Sequence, residues 1–411
     1  MINLERLKRD IEELGEIGRT PAGGVSRGAF SDADLQAREW FVRKLKEADL
    51  GVTIDAAGNI FGRIEGSGPA ILCGSHLDTI KNGGIYDGAL GVLSALECIR
   101  VINELKLKTE FPIEVVSFTD EEERFVGFLG SYAVTGELKS DKLSEVRDSE
   151  GYLLRDCMRK CELDIAEIPR AKRNAEGIKA FIELHIEQGP VLESLQIPIG
   201  VVNAVKGDYR YRVDIVGRTD HAGVPMKWRR DALFGAVQFI SSALNIIRRF
   251  EREETLVTVG VLELDPGLAN VVPRHVFFTL DVRDNEIDHL SMLEEELNKL
   301  TGQLASELNL EMRMRPIMKI APLALNHKIQ AIITEEVKNL NLVSHELPSG
   351  AGHDAQILGR MVPAGMIFVP SHRGKSHSPD EFTSWKDIEN GANVLLRTLL
   401  HLANGNTDFM R

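Results

Sequence analysis

The stretch Gly74-Ser75-His76-Leu77-Asp78-Thr79, followed after a short loop by Gly83-Gly84-Ile85-Tyr86-Asp87-Gly88, organises the chain. An apolar run, Pro69-Ala70-Ile71-Leu72-Cys73, precedes it and reads as a buried strand. His76 therefore emerges at a strand's carboxyl end, where open α/β sheets carry their ligands. Asp78 shares one side of the extended chain with His76, so its carboxylate is expected to hold the imidazole in one tautomer. Asp87 reads as the N-cap of an apolar helix from Ala89 to Leu105. A carboxylate at that junction can bridge two cations, with Gly83 and Gly84 allowing a close backbone approach. Taken alone, the stretch reads equally well as a strand-end histidine beside an ordinary aspartate cap, and the rest of the chain has to decide.

The chain has 411 residues, 43% hydrophobic and 27% charged, which is ordinary globular composition with room for two or three domains. Forty-nine basic against 62 acidic residues leave a net charge of −13, which argues against nucleic acid or an anionic membrane as the main partner. The four cysteines, Cys73, Cys98, Cys157 and Cys161, make no disulfide framework in a chain this long and fit a reducing cytoplasm. The charged, helical amino terminus from Met1 to Gly18 has no signal-peptide core, and no apolar run is long enough to span a bilayer. A soluble cytoplasmic protein is expected.

In chain order, Ser31 should cap an amphipathic helix from Ala33 to Ala48. Gly24-Val25-Ser26-Arg27-Gly28 matches the nucleophile-elbow pattern, but Gly, Pro and Thr stand where the elbow needs an apolar strand, so the match is taken as chance. Strands are expected at Asn59 to Ile64, Ala70 to Gly74 and Ile113 to Phe118, with the helix after Asp87 between the last two. Strand, helix, strand is a parallel α/β signature. The third strand delivers Thr119-Asp120-Glu121-Glu122-Glu123-Arg124-Phe125 to the same edge as His76. One carboxylate there can ligate a metal while its neighbour moves a proton. From Glu137 to Lys179 the chain is charged and mostly helical in pattern, a surface excursion without evident chemistry. A strand from Ala180 to Leu184 then presents His185-Ile186-Glu187-Gln188-Gly189.

Near Lys206-Gly207 the pattern changes to strand, helix, strand, strand, helix: Tyr209 to Val216, Asp231 to Arg249, Thr255 to Leu264, His275 to Val282 and Ile287 to Leu308. That is the size of a separate small domain, a sheet covered on one face by two helices. It carries Thr219-Asp220-His221-Ala222-Gly223, Ala269-Asn270-Val271-Val272 and Asp281-Val282-Arg283-Asp284, which by themselves are turns and a charged strand end. After Arg315 α/β material returns: a helix from Lys328 to Leu340, the loop Ser349 to Asp354, a strand from Met366 to Val369, the segment Gly374-Lys375-Ser376-His377-Ser378-Pro379-Asp380-Glu381, and a final helix from Ser384 to Leu402.

Together these segments resemble the co-catalytic dinuclear metallohydrolases related to aminoacylases and glutamate-type carboxypeptidases. More narrowly, they resemble the hydantoinase/carbamoylase branch, which includes N-carbamoyl-L-amino acid hydrolases, β-ureidopropionase and allantoate amidohydrolase. The match runs in order through GSHLDT, GGIYDG, FTDEEERF, ELHIEQGPVLE, HAGVPM, NVVP, DVR, SGAGHDA and GKSHSPDEF. The resemblance implies an α/β, zinc-exopeptidase-like catalytic domain with a mixed, largely parallel sheet, in two parts over residues 1–206 and 317–411. Between them it implies an inserted α+β, ferredoxin-like lid and dimerisation domain over 207–316.

It further implies one metal on His76 and His185, a second on Glu122 and His377, and Asp87 bridging both. The donor types suit Zn, Mn, Co or Ni. Glu121 would be the general base for a water activated by two divalent metal ions, and His221, supplied by the partner subunit of a homodimer, would stabilise the oxyanion. Arg283 would clamp the carboxylate of a small ureido or carbamoyl substrate, with Gln188 and Asn270 reading its amide groups. Two departures stand out: EEERF lacks the glycine of the usual Glu-Glu-Gly-x-Arg-Phe, and HAGVPM is one residue short of HAG-x-x-PM. Aligned from the other side of the loop, base and ligand become Glu122 and Glu123. The alternatives to hydrolysis of a linear carbamoyl or ureido amide are an aminoacylase- or dipeptidase-like activity and a metal-containing binding protein without turnover.

Overall fold

The computed structural model describes residues 1–64, 66–138, 142–250, 252 and 254–405. By its internal contacts the chain divides into two compact units, one of residues 1–203 with 324–411 and one of residues 204–323.

In the first unit the strands run, from one edge inward, Gly51–Ile54, Ile60–Arg63, Ile113–Phe118, Ala70–His76, Ile178–Ile186, Ala364–Val369 and Ile199–Val205. The four from Ile113–Phe118 to Ala364–Val369 are mutually parallel, while Gly51–Ile54, Ile60–Arg63 and Ile199–Val205 pair antiparallel to their neighbours. The sheet is thus mixed with a parallel centre, as expected. Every residue of those four strands is buried, which explains why they read as continuous apolar runs rather than alternating ones.

Helix Ala89–Glu104 carries the crossover between the strands Ala70–His76 and Ile113–Phe118, and fourteen of its sixteen residues are buried. It packs on those strands and against helices Leu4–Glu16 and Trp385–Asn404 in one continuous apolar core. A helix apolar all round has to be enclosed on all sides. Its one buried acid, Glu97, is satisfied by the Asn3 amide and by Arg6 Nε at 2.6 Å. Ser31 caps helix Asp32–Glu47 by accepting from the Asp34 amide, as its sequence announced. The Gly24–Gly28 segment forms no elbow: Val25 makes isolated bridges to Arg19 and Gly83, and Ser26 Oγ accepts from the Asn82 amide.

Three expectations need correcting. The excursion after Glu137 is not mostly helical: outside residues 139–141, which lie beyond the described residues, it holds one seven-residue α-helix, Leu154–Lys160, and short 3-10 turns around a small apolar cluster. The stretch Thr255 to Leu264 is two strands, Leu256–Thr258 and Leu262–Asp265, divided at Val259-Gly260-Val261. The last strand of the second unit, Glu311–Ile320, runs past Arg315, because Met312, Met314 and Met318 continue the pairing with Gly207–Val216 across an irregularity after Pro316.

That second unit is an antiparallel sheet in the order Leu262–Asp265, His275–Asp284, Gly207–Val216, Glu311–Ile320, with Leu256–Thr258 also pairing His275–Asp284. Burial alternates strictly along His275–Asp284. Val276, Phe278, Leu280 and Val282 join Tyr209, Tyr211, Val213 and Ile215 beneath helices Ala232–Arg249 and Ile287–Glu307. The opposite face of the sheet carries Arg210, Arg212, Asp214, Asp281 and Arg283. No helix among the described residues is long and apolar enough to cross a membrane.

Gly74 has φ +150°, and a Cβ there would lie 1.9 Å from the carbonyl oxygen of Val116 on the neighbouring strand. The strand that ends in His76 can approach its neighbour only with hydrogen at this position. Gly74→Ala is expected to destabilise the fold by more than about 3 kcal/mol in urea unfolding; a loss below about 1 kcal/mol would refute the close-approach account.

Candidate metal centre

Parallel strands deliver their carboxyl ends to one edge, and the chemically interesting side chains collect there. His76 closes strand Ala70–His76, His185 is the penultimate residue of Ile178–Ile186, Glu121 and Glu122 follow Ile113–Phe118, and His377 lies in the loop after Ala364–Val369. Asp87 stands between them. Its Oδ1 is 3.5 Å from His76 Nε2 and 3.2 Å from His185 Nε2, while its Oδ2 is 3.3 Å from His377 Nε2. Glu122 Oε1 lies 3.4 Å from His377 Nε2, and Glu121 Oε2 lies 3.5 Å from His76 Nε2. His76, Asp87 and His185 thus form one group of converging donors, and Asp87, Glu122 and His377 a second that shares the aspartate. The first group is buried, whereas His377 is exposed and marks the solvent side.

The two buried imidazoles are oriented from behind. His76 Nδ1 lies 3.0 Å from the Asp78 carbonyl oxygen and His185 Nδ1 2.9 Å from that of Ile186. A backbone acceptor at Nδ1 keeps a proton there and points Nε2 toward Asp87. The Gly88 amide donating to His185 Nε2 at 3.1 Å requires the same tautomer. This corrects the reading of Asp78, which acts on His76 through its backbone, its carboxylate being 3.9 Å away. That carboxylate accepts instead from the amides of Glu121 at 3.4 Å and Glu122 at 3.2 Å, and so seats both acids. Asp87 is likewise not a helix cap. Gly88, at φ +62°, occupies the N-cap position, and a Cβ there would fall 2.4 Å from the His76 ring. The aspartate side chain is thereby turned away from the helix and into the cluster.

The electrostatics describe a site short of positive charge. Burial pushes the carboxyls of Glu121 and Glu122 up, the latter to about 8, with Asp87 adding to the rise at Glu122. Burial also opposes charge on His76, yet Glu121, Asp87 and Asp78 outweigh it and lift its pKa well above the ordinary imidazole value. His377 is raised to about 9, first by its bond to Asp87. Burial thus favours protonated acids, while the neighbouring carboxylates draw protons to the imidazoles. Nitrogen and oxygen donors in that field suit borderline divalent cations, which displace protons from the groups that bind them.

The remaining candidates lie apart in sequence. Gln188, at φ +55°, directs Nε2 to Asp87 Oδ2 at 2.7 Å and to Ser376 Oγ at 3.3 Å, while its buried Oε1 has no hydrogen-bond partner among the described residues. Its amide therefore serves Asp87 with one end, a contact the sequence did not announce. Within the second unit His221 and Asn270 meet: His221 pairs with Val271 across a two-stranded ladder, and the Ala222 amide donates to the Asn270 carbonyl at 2.9 Å. The shortened turn after His221 is closed by the Val224 amide on the His221 carbonyl and clamped by Arg229, whose Nε and Nη2 donate to the carbonyls of Val224 and Ala222. The Gly223 amide donates to His221 Nδ1 at 3.1 Å, so a neutral His221 carries its proton on Nε2. Arg283 does not join them. It lies eight residues along its strand from His275, about 26 Å at ~3.3 Å per residue. Asp281 holds its guanidinium side-on at 2.9 and 3.0 Å.

The profile of Peptidase family M20/M25/M40 matches residues 72–401. The chain belongs to this family. It is 40% identical to the N-carbamoyl-L-amino acid amidohydrolase of Geobacillus stearothermophilus over 98% of this chain and all of that protein. It is 34% identical to the allantoate amidohydrolase of Bacillus subtilis, covering 96% of each. Among solved structures, a hydantoinase/carbamoylase-family amidase of Burkholderia vietnamiensis superposes with a TM-score of 0.88 at 34% identity, over 99% of this chain and 98% of that one. The family and the branch are those the ordered motifs indicated.

In this M20 chain several residues of the site escaped sequence reasoning. Ser376 Oγ lies 2.9 Å from Asp87 Oδ2, and Glu381 accepts from the Tyr86 and Asp87 amides. Both stand inside GKSHSPDEF, but a serine and a glutamate flanking a histidine do not advertise a partner almost 300 residues away. Glu183, buried, accepts from Ser75 Oγ at 2.7 Å and from the Ala355 amide at 2.9 Å, tying the strands behind His76 and His185 together. A charged residue inside an apolar run, Phe181-Ile182-Glu183-Leu184, was the available signal. Zn²⁺ or Mn²⁺ at a hundred times its Kd is expected to add about 2.7 kcal/mol to the unfolding free energy of the metal-free chain. His185→Ala is expected to remove most of that gain; equal thermal stability with and without either cation would refute the donor set.

Proposed function

We propose that this M20 chain is a metal-dependent amidohydrolase that cleaves a linear N-carbamoyl or ureido amide lying beside a carboxylate. The observation that carries the reading is Asp87, whose two oxygens face two separate donor groups with the second acid of the pair, Glu121, alongside. His76 and His185 would hold one cation, Glu122 and His377 the other, and Asp87 both. Two divalent ions there, whether Zn, Mn, Co or Ni, supply Lewis acidity, polarising a carbonyl and acidifying water.

The chain's own groups do the rest. Glu121, buried against His76, takes the proton of the attacking water and returns it to the leaving nitrogen. Gln188 Oε1 accepts from the ureido N–H, while its Nε2 steadies Asp87. His221 donates from Nε2 to the developing oxyanion. Arg283, held rigid by Asp281, meets the substrate carboxylate, and Asn270 reads the amide. The products are an amino acid, carbon dioxide and ammonia. The close relatives bear the names of N-carbamoyl-L-amino acid and allantoate amidohydrolases, which supports this substrate class over N-acyl or peptide bonds. The buried thiols Cys73 and Cys98 suit a reducing cytoplasm.

The same reading makes residues 204–323 a lid and the seat of a homodimer. His221 and Asn270 gather at the His275 end of the sheet and Arg283 at the other, so a single copy is poorly placed to offer all three to one small substrate. A second copy that lends His221 and Asn270 removes the difficulty. Edge strand Leu262–Asp265, with Leu262 and Leu264 exposed, and helix Ala232–Arg249, with Phe234 and Val237 exposed, offer apolar surface for that contact.

Ammonia release from N-carbamoyl-L-amino acids, allantoate, ureidoglycolate and β-ureidopropionate, set against amine release from N-acyl amino acids and dipeptides, tests the activity. Glu121→Gln is expected to lower kcat by ~10²–10⁴-fold with its metal content unchanged; activity confined to the acyl or peptide substrates would overturn the carbamoyl assignment. Mixing inactive Glu121→Gln and His221→Ala subunits tests the trans contribution. Heterodimers with one intact site should regain activity, and mixtures as inactive as their parents would place His221 in its own subunit's site.

A further inference from the structure

We propose that Glu381 is a positioning residue for Asp87, fixing the orientation in which that carboxylate offers one oxygen to each donor group. The inference rests on the dinuclear reading above. Glu381 is 6% exposed, and both its oxygens are engaged on Asp87's surroundings. Oε1 accepts from the backbone amides of Tyr86 at 2.9 Å and Asp87 at 3.1 Å. Oε2 lies 2.8 Å from Ser376 Oγ, which in turn lies 2.9 Å from Asp87 Oδ2. One side chain thereby holds the backbone that carries Asp87 and, through one hydroxyl, the oxygen that faces His377.

Two further features show that the contact is built in. Gly84 leaves the space that the carboxylate fills: a Cβ at that position would lie 2.0 Å from Glu381 Oε1 and 2.6 Å from its Cβ. The loop that carries Glu381 also carries His377, held at φ +53°, and is closed by the Glu381 amide on the Ser378 carbonyl at 3.1 Å. A histidine in the left-handed region keeps that conformation only where its surroundings over-determine it. Glu381 therefore joins the two loops that bear Asp87 and His377, segments almost 300 residues apart in sequence, at a point where a small shift of either would change the spacing of the donors. Groups that orient metal ligands from behind typically contribute 10- to 100-fold in affinity.

The test is calorimetric titration of the metal-free full-length chain with Zn²⁺ or Mn²⁺ alone, with the urea midpoint of each metal-free variant measured in parallel. Glu381→Ala is expected to weaken cation binding by about 10- to 100-fold. Glu381→Gln keeps an acceptor for the two amides and gains a donor for Ser376 Oγ, so it should remain within about threefold of the parent. Gly84→Ala, which displaces the carboxylate without removing it, should follow Glu381→Ala, and it carries the comparison if Glu381→Ala does not fold. Binding by Glu381→Ala within about twofold of the parent, or a Gln variant as weak as the Ala variant, overturns the inference, as does a lowered urea midpoint with unchanged affinity. A parent chain that takes up neither cation overturns the dinuclear reading itself, a result distinct from a parent that binds and a variant that binds equally well.

Discussion

The molecule is arranged around one buried carboxylate with three imidazoles about it. Burial alone would push the Asp87 carboxyl up, but its contacts with His185, His377 and His76 outweigh that and hold it well below the usual carboxylate range. Burying a charge is tolerated only where partners replace the water it loses, and here those partners come from three segments of the chain. Helix Ala89–Glu104, the parallel strands and the loop to Glu381 can each be understood as means of bringing those segments within reach. Gly84 and Gly88 matter for the same reason, since a side chain at either would occupy space needed by Glu381 or by the His76 ring.

Behind the donors stand further acids that hold the surrounding backbone and strands. Asp78 seats the amides of Glu121 and Glu122, Glu183 links Ser75 to Ala355, and Asp120 folds the following turn by accepting from the Phe125 and Val126 amides. Burial lifts Asp120 to about 8 and pushes Asp354 well above its ordinary value, with Asp78 adding to the first and Glu183 to the second.

The second unit solves a different problem with the same economy of residues. Its sheet hides one face under two helices and leaves the other polar, where Asp281 fixes Arg283 and Asp214 meets Arg212 and Arg315. The loop of His221, one residue shorter than the motif it resembles, is closed by its own hydrogen bonds. Arg229 spans the turn and the Gly223 amide fixes the ring, so its hydrogen-bonding direction is set by backbone rather than by loop length.

Much of this was legible in the sequence, and the reasons are physical. Continuous apolar runs before Gly74, Thr119 and His185 had to be doubly buried strands, and a chain that alternates them with helices has to deliver their polar ends to one edge. That placed His76, the acidic run after Phe118, His185 and His377 at one edge, the family resemblance singled out Glu121 and Glu122 within the run, and the alternation of Tyr209 to Val216 and His275 to Val282 marked a separate antiparallel sheet. The choice between Glu121 with Glu122 and Glu122 with Glu123 lay beyond it. The structure turns the first pair inward because Asp78 binds their amides, and leaves Glu123 exposed. What Asp87, Asp78 and Gln188 do was also decided only in three dimensions. A carboxylate before a helix reads as a cap until Gly88 takes the cap position and His185 arrives from another strand. Local sequence fixes which groups a segment offers; which of them meet depends on contacts between segments that share no neighbourhood along the chain.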